Sequence, residues 1–162
     1  MDSETSDDTP ALRALAESGV GYAVTRHGRV KSLAEAAQAR GVPPRAIVKT
    51  MVVRRGAGDH LLVLVPGDRE ISWPKLRAVL GVNRISMPDA EVARAVTGYE
   101  RGTITPLGST TAWPVVADAA MTGTVSLGGG AHGVAVTVDA AQLVGALDAV
   151  VADVTEAATP PA

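Results

Sequence analysis

The stretch AIVKTMVV, residues 46–53, predicts a β-strand with a lysine at its centre. Side chains on a strand point alternately to opposite faces, so Lys49 shares one face with Met51 and Thr50 lies on the other. An apolar, β-branched run of this length is typical of a strand buried on both faces. Because burying an unpaired ammonium is costly, Lys49 either emerges at a sheet edge or enters a polar cavity that binds an anionic or carbonyl-bearing group.

The composition is that of one globular domain with an aliphatic core. The chain has 162 residues, two Trp, two Tyr, no Phe and no Cys. The absence of cysteine excludes disulfides, thiolate metal sites and a cysteine nucleophile. The three histidines are widely spaced, so we expect no metal site and no cofactor. No apolar run is long enough to span a membrane, and the acidic start of the chain is unlike a secretory signal. A cytoplasmic protein is expected.

Basic residues are concentrated in one segment. The net charge is −2, which by itself argues against a strong nucleic-acid binder. Residues 26–55, however, contain only one acid, Glu35, and eight basic residues: Arg26, Arg29, Lys31, Arg40, Arg45, Lys49, Arg54 and Arg55. This segment is a candidate footprint for a phosphate-bearing ligand. An ordinary solvent-exposed surface would explain this concentration of charge equally well.

Hydrophobic periodicity, helix caps and turn residues predict a mixed α+β fold. Helices are expected at 9–19, 32–41, 72–81, 88–98 and 139–150, and strands at 20–27, 46–53, 60–68, 83–87, 113–118, 124–129 and 133–138. The late run of strands favours a mixed or antiparallel sheet flanked by helices. One domain is expected over residues 9–153, with a flexible N-terminus at 1–8 and a flexible tail at 154–162.

Three further features are candidates for chemistry, and each is a weak signal by itself. The loop TGYERGTITPLG, residues 97–108, has no periodicity and is of functional length. The run GGGAHG, residues 128–133, is more often a tight hairpin than a phosphate cradle. His27 follows the first strand and is more often structural. The sequence holds no G-x-S-x-G elbow, no P-loop and no Rossmann glycine fingerprint after the first strand.

The order of these features is the specific signal. His27 is followed by EAAQARGVPPRAIVKTMVV, then by LVLVPGDREISWPKLRAVLGV, TGYERGTITPLG, WPVVAD and GGGAHGVAVTV. From about Leu12 to Val150 this closely resembles the YbaK / prolyl-tRNA synthetase-associated domain family of aminoacyl-tRNA deacylases. The lysine strand and the TGYERGTITPLG loop carry most of the resemblance.

The resemblance implies a barrel-like mixed β-sheet surrounded by helices. It also implies trans-editing, the hydrolysis of the ester that joins a wrong amino acid to the 3′ end of a tRNA. The catalytic positions it indicates are Lys49, Gly102 and Gly108. The substrate-binding positions it indicates are His27, Thr50, Thr103, Thr105, Pro106, Leu107, Gly128, Gly129, Gly130 and His132. Since the ester is already activated, placement and charge stabilisation by Lys49 and by loop N–H groups would suffice, with water attacking and no metal.

Some positions depart from the family pattern, and these leave the substrate open. Members that act on cysteinyl-tRNA commonly have GGISPLG and SGGKRGLDI, where this chain has RGTITPLG and GGGAHGVAV. Arg101, Thr105, Ala131, His132 and Ala135 are therefore altered, and Thr25 stands where those members have a tyrosine before the histidine. The expected substrate is a small amino acid, with cysteine ahead of alanine and serine, on a tRNA that the resemblance suggests is tRNA(Pro). His132 is the candidate for tuning this choice, and Val24, Thr25 and Val30 predict a small aliphatic wall.

The expected partners are the acceptor end of aminoacyl-tRNA and prolyl-tRNA synthetase, for a protein that is a monomer or weak dimer. The alternative is a non-catalytic module that binds a nucleotide or the tRNA end, and the aspartate replaced by Ala135 keeps that alternative open. A plain hydrolase of small activated esters is the weaker third hypothesis.

Overall fold

The computed structural model describes residues 9–158 and has the predicted mixed α+β architecture. The elements, in chain order, are α1 (Pro10–Ser18), β1 (Tyr22–Arg26), α2 (Leu33–Arg40), β2 (Val48–Gly56), β3 (Asp59–Pro66), β4 (Arg69–Ile71), α3 (Trp73–Leu80), α4 (Ala90–Thr97), β5 (Val115–Asp118), β6 (Thr124–Gly128), β7 (Val134–Asp139), α5 (Ala140–Leu147), β8 (Val150–Ala152) and β9 (Thr155–Ala157). A short 3-10 turn, Pro44–Ala46, leads into β2.

The strands form three sheets. One is antiparallel with the order β1-β7-β6, one is mixed with the order β2-β3-β5-β8, and β4 pairs with β9. A parallel bridge between Ile47 and Ser126 joins the first two sheets beside β2 and β6. Among residues 9–158 the two larger sheets meet at this bridge without closing into a continuous barrel. Because β2 is the edge strand of its sheet, the Lys49 side chain can reach solvent.

The core is divided by β3, which is buried on both faces. Residues Leu61–Val65 are each no more than 1% exposed. Leu62 and Leu64 belong to a large cluster that includes residues of α1, β6, β7 and α5. The intervening residues of β3 belong to a second cluster that includes Leu76 of α3. The mixed sheet is therefore covered on both sides.

The helix starts follow the predicted caps. Thr9 accepts a hydrogen bond from the Leu12 N–H at 3.1 Å, and Ser32 accepts one from the Glu35 N–H at 3.1 Å. Such caps satisfy the donors that the first helical turn leaves unpaired. None of the helices in the described part of the chain is long and apolar enough to cross a membrane.

Two predictions around short apolar segments are wrong. Residues 83–87 do not form a strand, because only Ser86 pairs, through a single antiparallel bridge to Arg54. The last helix ends at Leu147 rather than at residue 150. The valines that follow instead form β8, which pairs in parallel with β5 at the sheet edge. Tertiary pairing thus decides these two segments.

The predicted flexible tail is also wrong for residues 154–158. Val154 and Thr155 are fully buried, and β9 pairs with β4, a strand that the sequence did not predict. The buried Asp118 holds this segment in place. Its Oδ1 accepts a hydrogen bond from the Val154 N–H at 3.0 Å, and its Oδ2 accepts one from the Ala120 N–H at 3.0 Å. The flexible segments predicted at 1–8 and 159–162 lie outside the described residues.

Replacement of Val154 should reveal how strongly this segment is held. We expect Val154→Ala to lower the free energy of unfolding by about 2 kcal/mol, since it removes two buried methyl groups and leaves a cavity. Val151→Ala is the matched control, because Val151 is 54% exposed and should change stability by less than about 0.5 kcal/mol. Urea denaturation measures both. Equally small changes in the free energy of unfolding for the two variants would contradict the buried position of Val154, the residue before β9.

Candidate active site

The loop between α4 and β5 is held by buried groups. Gly98 ends α4 with a φ of 83°, and Tyr99 then turns inward to donate its hydroxyl hydrogen to the Leu107 carbonyl at 2.6 Å. Burial raises the pKa of Tyr99 to about 12, so the phenol stays protonated and remains a donor. This bond joins the two ends of the predicted functional loop.

Most of the loop residues predicted to bind substrate face the interior. Thr103, Thr105 and Leu107 are almost fully buried, as is Pro106. Their side chains support the loop, which leaves Gly102 and the partly exposed Ile104 on the outer side. Gly102 has a φ of 89°, a conformation that favours glycine.

Gly108 lies against α1. A Cβ atom at this position would be 2.4 Å from the Pro10 carbonyl oxygen. Gly108 also has a φ of 66°. Its position is therefore one of close backbone packing. Gly102 lines two cavities, and Gly108 lines neither of them.

The first of these cavities is mainly apolar. It has a volume of about 530 Å³ and is lined by Thr50, Gly102, Asp89, Arg101 and the apolar residues Met51, Val52, Met87, Pro88, Ala90, Ala93 and Ile104. The Thr50 hydroxyl is buried and has no hydrogen-bond partner. One unsatisfied hydroxyl in an apolar pocket is the arrangement expected where a small polar group of a ligand is recognised. We call this the apolar cavity.

The second cavity is cationic. It has a volume of about 430 Å³, and its polar side chains come from His27, Arg29, Arg40 and His132, with Gly102, Gly128 and Gly133 also in its lining. Among the residues that the structure describes, no acidic side chain lines it. We call this the cationic cavity. Since Gly102 lines both cavities, the loop stands where they meet.

Two buried nitrogens of the cationic cavity lack partners. The His27 Nδ1 is 2.8 Å from the Gly28 carbonyl oxygen, which can only accept, so Nδ1 carries a proton. In the neutral ring Nε2 is then a bare acceptor, and it is buried without a partner. The Arg40 Nε is also unpartnered, and burial lowers the pKa of its guanidinium. Unsatisfied buried groups of this kind are uncommon away from ligand sites.

The glycine run 128–133 is the connection of the β6–β7 hairpin, as its composition suggested. Gly129 and Gly130 allow close packing, because a Cβ would lie 2.6 Å from Val134 Cγ1 or 2.9 Å from Tyr99 Cε1. His132 extends outward from this turn and pairs with Glu100 at 2.7 Å. A Cβ on Gly102 would be 3.4 Å from the His132 ring. His132 therefore covers the loop at the rim of the cationic cavity.

Lys49 is exposed rather than buried. This corrects the expectation of a strand buried on both faces, and the reason is that β2 is the edge strand of its sheet. The Lys49 Nζ donates to the Arg69 carbonyl at 3.1 Å. Lys49 lines a smaller cavity of about 180 Å³ on the face opposite Thr50, and Met51 and Met87 are common to this cavity and the apolar one. The structure thus places Lys49 beside the apolar cavity, not inside it.

Sequence reasoning missed several lining residues. Arg29 and Arg40 stood in the cationic segment but were not assigned to the site. Met87 gave no local signal, because it is positioned by the bridge between Ser86 and β2. The expected aliphatic wall is only partly right: Val30 lines the cationic cavity, whereas Val24 is 38% exposed on β1. The residues Val52, Ala90 and Ala93 supply small apolar groups instead.

Among the described residues, no group of three or more His, Asp or Glu side chains is arranged to hold a metal ion. The polar side chains around Gly102 are the Thr50 hydroxyl, imidazoles and guanidiniums, with one carboxylate, Asp89, in the apolar cavity. These groups suit an uncharged polar group beside an anion, and the loop glycine between them allows a ligand to approach the backbone closely.

Comparison with known proteins identifies relatives over most of the chain. The pattern of the aminoacyl-tRNA editing domain family matches residues 27–146. A proline–tRNA ligase of Pelobacter propionicus is 31% identical over 120 residues, which are 74% of this chain and 21% of that protein. A proline–tRNA ligase of Desulfovibrio desulfuricans is 33% identical over 121 residues, which are 75% of this chain and 19% of that protein. The chain spans about a fifth of the length of these relatives.

Two solved structures are similar over nearly their whole length. A hypothetical protein, APE2540, superposes with a TM-score of 0.82 at 27% identity, covering 91% of this chain and all of that one. A protein described as a candidate trans-editing enzyme for prolyl tRNA synthetase superposes with a TM-score of 0.81 at 26% identity, covering 91% of this chain and 95% of that one. The fold is therefore shared with free-standing structures as well as with part of the ligases.

Gly108 offers a test that separates packing from catalysis. Gly123→Ala should lower the free energy of unfolding by about 1–2 kcal/mol, the effect of placing alanine in a left-handed backbone conformation. No steric clash is added, because no atom lies within 4 Å of the Cβ position. Gly108→Ala should cost more than about 3 kcal/mol, since a clash with the α1 backbone is added. Urea denaturation measures both. A Gly108→Ala protein of wild-type stability that has lost activity would instead assign Gly108 to the chemistry.

Proposed function

The chain belongs to the aminoacyl-tRNA editing domain family, and on that premise we propose that it is a trans-editing deacylase. It hydrolyses the ester between a small amino acid and the 3′ end of a tRNA, with tRNA(Pro) as the favoured carrier. Cysteine is the leading amino acid, followed by alanine and serine. The similarity to proline–tRNA ligases and to a candidate trans-editing enzyme supports this carrier.

The observation that carries the proposal is the position of Gly102 between two unlike cavities. An aminoacyl-tRNA end has the same division, since a small side chain is joined through an ester to an anionic nucleotide. The amino acid would enter the apolar cavity, where Thr50 offers a hydroxyl. The terminal nucleotide would enter the cationic cavity, where Arg29, Arg40 and His27 attract phosphate and accept or donate to ribose hydroxyls.

In this pose the ester carbonyl lies at the Gly102 loop. The Thr103 N–H is already bonded to the Glu100 carbonyl at 3.0 Å. The Gly102 N–H has no hydrogen bond within residues 9–158, so it is a loop donor available to a developing oxyanion. A water oxygen attacks the carbonyl carbon, the bond to the ribose oxygen breaks, and the proton released by water passes to that oxygen. The products are the free amino acid and uncharged tRNA.

Lys49 supplies the charge in this proposal. Among the described residues it forms no ion pair, and its only hydrogen bond is to the Arg69 carbonyl. In the proposed reaction its ammonium would leave this carbonyl and turn past Met51 and Met87, which line both cavities, towards the ester or the terminal phosphate. Lys49 is thus our proposed catalytic cation, with Gly102 as the backbone donor.

The lysine assignment predicts a large and specific loss of activity. We expect Lys49→Ala to lower kcat/KM for deacylation by at least about 100-fold, the usual effect of removing one charge-stabilising donor, with the melting temperature unchanged because Lys49 is exposed. Lys75→Ala is the control for the loss of a lysine charge, since Lys75 pairs with Asp153 at 3.1 Å and lines neither cavity at Gly102. Wild-type turnover by Lys49→Ala would refute the assignment.

The choice of amino acid predicts an effect confined to polar substrates. If the Thr50 hydroxyl recognises the side chain, Thr50→Val should slow cysteinyl- and seryl-tRNA hydrolysis by about tenfold, the equivalent of one hydrogen bond. Alanyl-tRNA hydrolysis should be unchanged. His132→Ala, measured in the same panel with threonyl- and leucyl-tRNA added, tests whether the rim residue alters the ranking. Fastest cleavage of the leucyl ester would contradict a small amino-acid pocket.

The competing hypothesis is a non-catalytic tRNA-end binding module. It rested on the aspartate replaced by Ala135, a position that is fully buried within β7. Release of radiolabelled amino acid from mischarged tRNA distinguishes the two, because a binding module would protect the ester instead of cleaving it.

A further inference from the structure

A further cavity, distinct from the two at Gly102 and from the one at Lys49, is lined by four arginines. It has a volume of about 620 Å³, and its charged residues are Arg54, Arg55, Arg77 and Arg84. Gly56, Asn83, Ile85 and Ser86 complete the lining, so none of the acidic residues within 9–158 belongs to it. We call it the arginine cleft. Its volume is in the range of small-ligand sites.

Three parts of the fold bring these arginines together. Arg54 and Arg55 lie near the end of β2, Arg77 is on α3, and Arg84 is in the segment that follows α3. The segment is fixed to β2 by two backbone bonds, from the Arg54 N–H to the Ser86 carbonyl at 2.8 Å and from the Ser86 N–H to the Arg54 carbonyl at 3.0 Å. The convergence of charge is therefore built by tertiary contacts and not by neighbours in sequence.

Little of this charge is neutralised within the protein. Arg55 pairs with Asp59 at 3.1 Å, and Arg54 donates through Nε to the Gly56 carbonyl at 3.2 Å. Within residues 9–158, Arg77 and Arg84 form no ion pair. Guanidinium groups match the geometry of phosphate oxygens with paired N–H donors. A cleft of like charges without acids is accordingly suited to a phosphate-bearing ligand.

The arginine cleft and the apolar cavity are neighbours along β2. Thr50, in the apolar cavity, and Arg54, in the cleft, are four residues apart on β2, which corresponds to about 13 Å. On the facing segment Ser86 lines the cleft and the next residue, Met87, lines the apolar cavity. The two sites thus lie along one edge of β2.

We propose that the arginine cleft binds phosphodiester groups of the tRNA acceptor arm while the esterified 3′ end lies at the Gly102 loop. The choice of tRNA as the ligand rests on the proposed function. Phosphate contacts of this kind add affinity and fix register without reading bases. The cleft would therefore hold the tRNA at a place separate from the chemistry.

The test measures tRNA binding separately from catalysis. Fluorescence anisotropy of labelled, uncharged tRNA is recorded across about 50–200 mM salt, the range in which phosphate contacts are revealed. The Arg77→Ala/Arg84→Ala double variant should bind about tenfold more weakly, and the slope of log affinity against log salt should fall by about two. Its kcat on an aminoacyl-adenosine, which has no phosphodiester, should stay at the wild-type value. Unchanged melting temperatures establish that the variants are folded.

The matched control is the Arg45→Ala/Arg94→Ala double variant. Both arginines are exposed and neither lines the cleft. Equal weakening by the two double variants would mean that tRNA is attracted by diffuse charge, and it would overturn the proposal. An unchanged salt slope in the Arg77→Ala/Arg84→Ala variant would also overturn it. Competition by micromolar inorganic phosphate that disappears in the Arg77→Ala/Arg84→Ala variant would show a small-anion site instead of a groove for a strand, with the same consequence.

The two proposals can fail independently. If no aminoacyl ester is hydrolysed but the cleft variant still loses tRNA affinity and salt slope, the deacylase proposal is wrong and the arginine cleft is supported. If deacylation is observed and its KM for aminoacyl-tRNA is the same in the wild type and the cleft variant, the arginine cleft proposal is wrong.

Discussion

The burial of β3 on both faces is the constraint on which the rest of the structure depends. A strand of five consecutive apolar side chains, Leu61–Val65, requires a layer of packing on each side. Its backbone also requires a strand at each edge, and β2 and β5 occupy these places. One cluster then forms between the two larger sheets and α1, and the other forms under α3. The charged and polar side chains of the candidate site lie outside these clusters, on elements such as β2, the loop at Gly102 and the β6–β7 hairpin.

The edge strand β2 contributes side chains to three of the cavities. Alternation of side chains along it sends Thr50 towards the apolar cavity and Lys49 towards the opposite face. Farther along the same strand Arg54 reaches the arginine cleft. An edge strand leaves one side of its backbone unpaired, and here the single Arg54–Ser86 bridge is what covers part of it. A strand that is strictly central could not serve three cavities in this way.

The loop at Gly102 combines a fixed interior with an accessible surface. Tyr99 ties the loop to Leu107 from within, and the buried threonines fill the space beneath it. The exposed part is left to a glycine with positive φ, where a ligand can approach the backbone closely. In the proposed reaction this arrangement would hold an N–H donor in place before substrate arrives, which is the condition for effective charge stabilisation. Basic residues around the loop give an acidic protein a locally positive surface, which favours encounter with a polyanion.

The sequence by itself determined the elements whose signals are local. Caps such as Thr9 and Ser32 mark helix starts, the apolar run at β3 marks a buried strand, and the ordered motifs from His27 to the glycine hairpin identify the family. Only the tertiary structure decided that Lys49 is exposed, that residues 154–158 are ordered, and that four arginines converge. The reason is physical: burial and charge proximity depend on which strand lies at an edge and which distant segments pair with it. Neither property is contained in the residues nearest in sequence.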